Sequence, residues 1–112
     1  MTLEEKELLL KDLCPRLPYH PKVKYIHYHR NGDDEDIVLN VYNAHELLVG
    51  MGIYHIKPYL RKFNENGIQC YRWENFKTVS DNMRYLIENH CDINHLIEKG
   101  LAIEAPDGMY DN

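Results

Sequence analysis

The chain has 112 residues, of which 44% are apolar and 28% are charged, and its formal net charge is -5. These values are typical of one globular domain, and they exclude low-complexity and collagen-like chains. Net acidity argues against a protein that binds nucleic acid mainly by neutralising phosphates, because such proteins concentrate Lys and Arg.

The sequence contains no recognisable membrane or export signal. No apolar run reaches the roughly 18 to 20 residues that span a bilayer, and the acidic segment 1–7 does not resemble a signal peptide. The three cysteines, Cys14, Cys70 and Cys91, form no C-x-x-C pair, which predicts reduced thiols in a reducing compartment. We therefore expect a soluble, cytoplasmic single domain over residues 1–112, without membrane contact.

The first predicted element is a helix that begins after Thr2. Thr2 and Glu5 have the spacing of a capping box, in which each side chain accepts a hydrogen bond from the other residue's amide. Leucines recur at helical spacing through the segment. Pro15 disfavours helical geometry at Cys14, so the helix is expected to end there and an extended connector to follow.

Three strands are predicted after this helix. Val23–Arg30 is rich in β-branched and aromatic residues, and Asn31-Gly32 is a strong turn dipeptide. Ile37–Tyr42 has apolar residues at alternate positions. Leu47–Ile56 is expected to be the third strand, bent at its two glycines. Three consecutive strands predict an antiparallel meander that can close partly into a small SH3-like barrel.

The middle of the chain contains a residue that interrupts strand pairing. Pro58 lacks an amide donor and is expected to break the hydrogen-bond ladder. Ile68–Trp73 is a predicted short fourth strand. Apolar residues from Val79 to His90 recur with helical spacing, which predicts an amphipathic helix.

The C-terminal part is expected to add a second short helix, capped by Asp92 and ended by Gly100. Leu101–Ala105 is a predicted edge strand, and the tail 106–112 is expected to be mobile. The predicted fold class is therefore α+β: an N-terminal helix, a bent antiparallel sheet of three or four strands, and C-terminal helices.

Three stretches of the sequence occur together in a known group of proteins. They are KDLCPRLPY at 11–19, IKPYLR at 56–61 and LIEKGLAIEAPDGMY at 96–110. In this order they resemble small proteins of gut Bacteroidales genomes and their phages or other mobile elements. The resemblance implies an accessory protein of a mobile or host genome, and no particular activity. That group usually has Gly where this chain has His20, and a Pro-Ser pattern where it has Lys62-Phe63-Asn64.

Two of the seven histidines have a spacing that is found in metal sites on strands. His27 and His29 lie two apart on a predicted strand, so their side chains share one face, as metal ligands on a strand do. Four other histidines could complete the site: His45, His55, His90 and His95. No second pair has helical i, i+4 spacing, and an H-x-H pair occurs often by chance. A metal-dependent hydrolase is thus the second alternative function, and no cofactor is expected.

Other catalytic arrangements find little support in the sequence. The acidic loop Asp33–Asp36 lacks the alternation and closing Glu of a calcium loop. Cys91 follows His90, but neighbouring residues on a helix point about 100° apart, so adjacency does not make a catalytic pair. No nucleophile elbow or phosphate-binding loop is present. The sequence favours a protein that is not an enzyme.

Aromatic and arginine side chains provide the best candidate interaction surface. These residue types dominate binding hot spots, because they bury a large area with little loss of entropy. The predicted binding residues are Tyr59, Arg61, Tyr71, Arg72 and Trp73. The alternative is that Tyr59 and Trp73 pack the end of the barrel while the arginines extend along the surface.

These observations predict a non-enzymatic protein-interaction module, an accessory of a phage or mobile element. Its partner would be another protein or a second copy of the chain. The first alternative is a nucleic-acid-associated regulator, in which bases stack on Tyr25, Tyr28 and Tyr71 of a small barrel. Net acidity weighs against that alternative.

Overall fold

The computed structural model describes residues 2–26, 34–62 and 79–110, which form an α+β fold as predicted. The helices are α1 (Leu3–Leu13), α2 (Ala44–Leu48) and α3 (Val79–Glu88); the strands are β1 (Lys22–Tyr25), β2 (Glu35–Val38), β3 (Ile56–Leu60) and β4 (Ile103–Glu104). Two 3₁₀ helices cover Cys14–Tyr19 and Gly50–His55. None of the helices in these ranges combines the length and apolar character that crossing a membrane requires.

The N-terminal helix confirms the predicted capping box. The Glu5 amide donates to Thr2 Oγ1 at 3.1 Å, and the Thr2 amide donates to Glu5 Oε1 at 2.9 Å. Beyond α1 the chain does not become extended as predicted, but continues as the 3₁₀ helix Cys14–Tyr19. Pro15 lies in the first turn of that helix, where a missing amide donor is tolerated.

The four strands form one mixed sheet in the order β2-β1-β3-β4. β1 pairs antiparallel with β2 and β3, whereas β3 pairs parallel with β4. The predicted purely antiparallel meander is therefore wrong, and the sheet does not close into a barrel. The long connections between strands account for this topology. The connection through α2 leads from β2 to β3, which lies on the other side of β1. The connection from β3 to β4 is long enough for a parallel pair, which needs a crossover of about a dozen residues or more.

The predicted third strand over Leu47–Ile56 is also wrong. This segment contains the end of α2 and the second 3₁₀ helix, and β3 begins only at Ile56. Gly50 has a φ of +67°, and a Cβ atom on Gly52 would lie 2.6 Å from the Leu47 carbonyl oxygen. The two glycines therefore permit a tight helical connection and do not mark a bent strand.

Pro58 lies inside β3 and is paired with Val23, contrary to the prediction that it breaks the ladder. The Ile26 amide donates to the His55 carbonyl oxygen at 2.8 Å. Hydrogen-bonded and non-hydrogen-bonded pairs alternate in an antiparallel ladder, so the Val23–Pro58 pair is a non-hydrogen-bonded one. At such a position the missing amide hydrogen removes no bond between β1 and β3.

The C-terminal part agrees with the prediction only in part. α3 confirms the predicted amphipathic helix, and β4 confirms a strand within Leu101–Ala105. The predicted second helix after Asp92 is wrong, because residues 93–94 and 96–100 form turns. The Asp92 carboxylate still accepts hydrogen bonds from the amides of Leu96 at 2.7 Å and Ile97 at 3.0 Å. The Asp92 side chain thus accepts the hydrogen bonds of these amides although no helix forms here.

The described apolar core brings together α1, the sheet and the C-terminal turns. Its buried residues are Leu9, Leu13, Val23, Leu39, Leu48, Ile53, Ile56, Leu60, Leu96, Leu101 and Ala102. A smaller cluster of Leu86 and Cys91 packs α3 beside the turn that follows it. This turn, residues 89–92, lies next to the end of β3, where the Arg61–Cys91 bridge continues the sheet.

Candidate functional site

The candidate site lies where the first 3₁₀ helix, the end of β3, the turn after α3 and the C-terminal tail meet. A cavity of about 390 Å³, which we call the His90 cavity, is lined by Tyr19, His20, Lys22, Arg61, Glu88, Asn89, His90, Met109 and Tyr110. A second cavity of about 260 Å³, the Asp107 cavity, shares Arg61 and Tyr110 with it and is also lined by Lys62, Glu104 and Asp107. The two together are called the Arg61 groove.

Backbone hydrogen bonds fix the position of Arg61 in the groove. Its amide donates to the His90 carbonyl oxygen at 2.7 Å, and its carbonyl oxygen accepts from the Asp92 amide at 2.9 Å. The side chain of Arg61 is half-exposed and lines both cavities. Because the main chain holds this residue, the guanidinium reaches the groove from a rigid base.

His90 is the most unusual residue of the site. Its backbone is left-handed, with a φ of 60°, and its side chain is buried, at 8% exposure. The Nδ1 atom is buried and has no hydrogen-bond partner among the described residues. Burial, and then the positive charges of Arg16, Arg61 and Lys22, lower the pKa of His90 to about 4. The ring is therefore neutral at physiological pH.

Tyr110 joins the C-terminal tail to the sheet and to His90. Its ring stacks on the His90 ring with 3.7 Å between centroids and 14° between planes. Its hydroxyl donates to the Tyr59 carbonyl oxygen at 2.7 Å and accepts from the Lys22 amide at 2.9 Å. Burial raises the pKa of Tyr110 to about 12, so the phenol stays protonated and keeps these bonds.

Lys22 is held beside Tyr110 by the same tail. Its Nζ atom donates to the Met109 carbonyl oxygen at 2.7 Å and lies 5.7 Å from the centre of the Tyr110 ring. An ammonium has three donors, so this bond leaves capacity for a ligand in the His90 cavity. The tail therefore positions a cation at the cavity wall.

A buried ion pair supports the turn that includes His90. Arg16 is fully buried, and its guanidinium donates to Asp12 through Nε at 3.0 Å and Nη2 at 3.1 Å. Nη2 also donates to the Cys91 carbonyl oxygen at 2.6 Å. Asn94 donates to Asp12 at 2.7 Å. The pair thereby ties the end of α1 to the turn after α3.

The charges of the His90 cavity differ from those of the whole chain. Two ionised cations, Lys22 and Arg61, and one anion, Glu88, line it, giving a local charge of +1 on a chain of net charge -5. The charges that line the Asp107 cavity cancel, since Arg61 and Lys62 are matched by Glu104 and Asp107. The His90 cavity is thus the part of the groove suited to an anion.

The predicted binding residues have different positions. Tyr59 is buried at 5% exposure, and its hydroxyl donates to Asp36 Oδ1 at 2.6 Å; burial and then this bond raise its pKa to about 12. Arg61, two residues later, lines the groove. Tyr71, Arg72 and Trp73 lie outside the described residues, and a binding role for the whole set stays a prediction.

The candidate metal ligands do not form a site in the described part of the chain. His27 and His29 lie outside it, and the residues within it contain no group of three His, Cys, Asp or Glu that could hold an ion. The His55 ring instead lies with Nδ1 2.8 Å from the Ile26 carbonyl oxygen and stacks on Tyr25. Tyr28, a candidate for base stacking, also lies outside the described residues.

The cysteines differ from the prediction of three reduced thiols. Cys14 is exposed and free, whereas Cys91 is fully buried and disulfide-bonded. A sulfur in a disulfide is not a thiolate, so Cys91 cannot act as a nucleophile beside His90 in this state. Cys70 lies outside the described residues.

No protein family, curated protein or solved structure matches this chain. The sequence predicts a binding role for Arg61 and considers His90 only as a metal ligand or as a neighbour of Cys91, whereas it gives no role to Arg16, Lys22 or Tyr110. Segments 11–19, 56–61 and 96–110 meet here, since Arg16 belongs to the first, Arg61 to the second and Tyr110 to the third.

Proposed function

We propose that this protein is a non-enzymatic protein-interaction module, an accessory of a phage or mobile element, that binds its partner in the Arg61 groove. The observation behind the proposal is the groove itself: a half-exposed arginine, a lysine and two stacked rings line one opening. Arginine and tyrosine are the residue types most enriched among energetically dominant interface residues.

The rigidity of the groove favours binding. Main-chain bonds hold Arg61 against residues 90 and 92, and the Tyr110 hydroxyl joins the tail to β1 and β3. A residue whose main chain is already fixed loses no backbone entropy when a partner binds, although its side chain still becomes ordered. A preformed groove therefore supports a binding role for Arg61 more strongly than its residue type alone.

The stacked pair of His90 and Tyr110 adds a second indication. A left-handed non-glycine residue and a buried nitrogen without a hydrogen-bond partner among the described residues both destabilise a fold, and such features cluster at functional sites. Here both occur in one residue at the groove. A binding role would account for their coexistence at this position.

Site-specific photo-crosslinking tests the proposal. The photo-reactive residue p-benzoylphenylalanine is placed at Asp107, which is exposed on the groove, or at Lys11, which is exposed on α1 and does not line it. The protein is expressed in the organism that naturally contains the gene. A discrete cross-linked protein is expected from position 107 only, and Arg61→Ala should remove it.

Two results would contradict the proposal. Position 107 could yield no cross-linked protein, or positions 107 and 11 could yield the same products with and without Arg61. The product's mass also identifies the partner class, because a cross-linked dimer of this chain would indicate self-association through the groove.

A further inference from the structure

We propose that the His90 cavity binds a carboxylate group of the partner, held by the Arg61 guanidinium and the Lys22 ammonium. This inference rests on the proposed function and specifies the chemistry that the groove recognises. It starts from the convergence of two cations from distant segments on one cavity of an otherwise acidic protein.

The local charge favours a monoanion. The ionised groups that line the cavity sum to +1, because Glu88 offsets one of the two cations. The neutral His90 ring adds no charge. The attraction of an anion to this surplus grows in proportion to the anion's charge, whereas the cost of removing the anion from water grows with the square of that charge, so a singly charged carboxylate loses less on entering the cavity than a doubly charged phosphate. The charge count therefore favours a carboxylate over a phosphate.

The geometry of the donors fits the same ligand. A guanidinium has five N–H donors in a planar fork that matches a carboxylate, so Arg61 can serve a ligand in addition to any protein partner. Lys22 is aligned by Met109 and the Tyr110 ring. Both cations line the same cavity, so a carboxylate bound there has two charged donors around it.

The size of the cavity limits what enters it. At about 390 Å³, the His90 cavity is at the small end of the range for ligand pockets. It can hold one side chain or one chain terminus of the partner, and the adjoining Asp107 cavity leaves room for the residues next to it in the partner. We therefore infer a partner segment with one acidic side chain or a free C-terminal carboxylate at its anchor point.

Titration of the full chain by NMR tests the inference with simple probes. Sodium acetate, sodium phosphate and sodium chloride are added at matched ionic strength, and the signals of the Arg61 side-chain N–H and the His90 ring are followed. Acetate is expected to give saturable shifts and to bind more tightly than phosphate. Arg61→Ala should weaken acetate binding about tenfold or more, and the surface control Lys11→Ala should not change it.

Arg61→Ala is a suitable variant because Arg61 contacts residues 90 and 92 through its main chain, which the substitution retains. Chloride shifts equal to those of acetate, tighter binding of phosphate, or acetate binding unchanged in Arg61→Ala would each overturn the inference.

A second measurement separates this inference from the proposed function. If the cross-linked partner binds equally well after its acidic groups at the contact are replaced by amides, the module remains supported and the carboxylate inference fails. If acetate binds as expected while position 107 captures no protein, the carboxylate site stands and the protein-interaction function fails.

Discussion

The buried pair of Arg16 and Asp12 gives the sharpest prediction about stability. Asp12→Ala would remove the carboxylate that accepts two bonds from Arg16 and one from Asn94. Arg16 is fully buried, and its Nη1 atom already has no hydrogen-bond partner among the described residues. The substitution would therefore leave a guanidinium charge in the interior with a single bond, to the Cys91 carbonyl oxygen.

The expected loss follows from the cost of an uncompensated buried charge. Removing one partner of a buried ion pair destabilises a protein by about 3–5 kcal/mol, a large part of the roughly 5–15 kcal/mol that stabilises a typical domain. With a urea m-value of about 2 kcal/mol/M, a loss of about 4 kcal/mol lowers the unfolding midpoint by about 2 M.

Urea unfolding followed by circular dichroism measures this shift. Glu7→Ala is the matched control, because Glu7 is an exposed carboxylate on the same helix; its effect should stay within about 0.5 kcal/mol. Replacing the whole pair, as in Asp12→Leu with Arg16→Met, should recover most of the loss, since apolar residues of similar size often substitute for a buried pair without penalty. If Asp12→Ala shifts the unfolding midpoint no more than Glu7→Ala does, Asp12 does not stabilise the buried charge of Arg16.

Three further predictions concern His90, His20 and the cysteines. Burial, and then the nearby cations, lower the pKa of His90 from its ordinary value of 6.5 to about 4 in the folded state. The unfolded chain therefore binds more protons between these values, and stability should fall by up to about 3 kcal/mol as the pH decreases from about 6.5 to about 4. Urea midpoints measured against pH should show a smaller fall for His90→Asn, and an identical pH dependence would refute the assignment. His20 has a φ of 54°, so His20→Gly should raise thermal stability by up to about 1 kcal/mol by relieving the left-handed strain; a clear loss in a melting experiment would contradict it. With Cys91 disulfide-bonded and Cys14 free, one of the three cysteines should react with a thiol reagent after denaturation without reductant, and three reactive thiols would show that the disulfide is absent.

The parts of the fold that sequence predicted best depend on local interactions. The capping box of Thr2 and Glu5 and the helical period of α3 involve residues within a few positions of each other. Strand order depends on contacts between distant segments, and the prediction of a meander assumed that neighbours in sequence pair. Pro58 was misjudged because its effect depends on which pairs of the ladder form hydrogen bonds, and that register is a property of the assembled sheet.

The site was harder to predict than the fold for the same reason. Arg61 was selected by residue type, but the residues around it come from three other segments. Lys22 and Tyr110 are hydrogen-bonded although 88 positions separate them. Nothing in the sequence near His90 indicates a left-handed backbone or stacking on a tyrosine of the tail. Composition can therefore identify an arginine as a candidate binding residue, but only the folded structure shows which cavity that arginine lines.

The most direct test of the proposed function is the affinity of the cross-linked partner, once purified, for wild-type protein and two variants. Isothermal titration calorimetry should show that Arg61→Ala weakens binding about tenfold or more, as expected for the loss of a charged hydrogen-bonded contact. Lys11→Ala should bind like the wild type. Equal affinities for all three proteins would contradict a role for the Arg61 groove in partner binding.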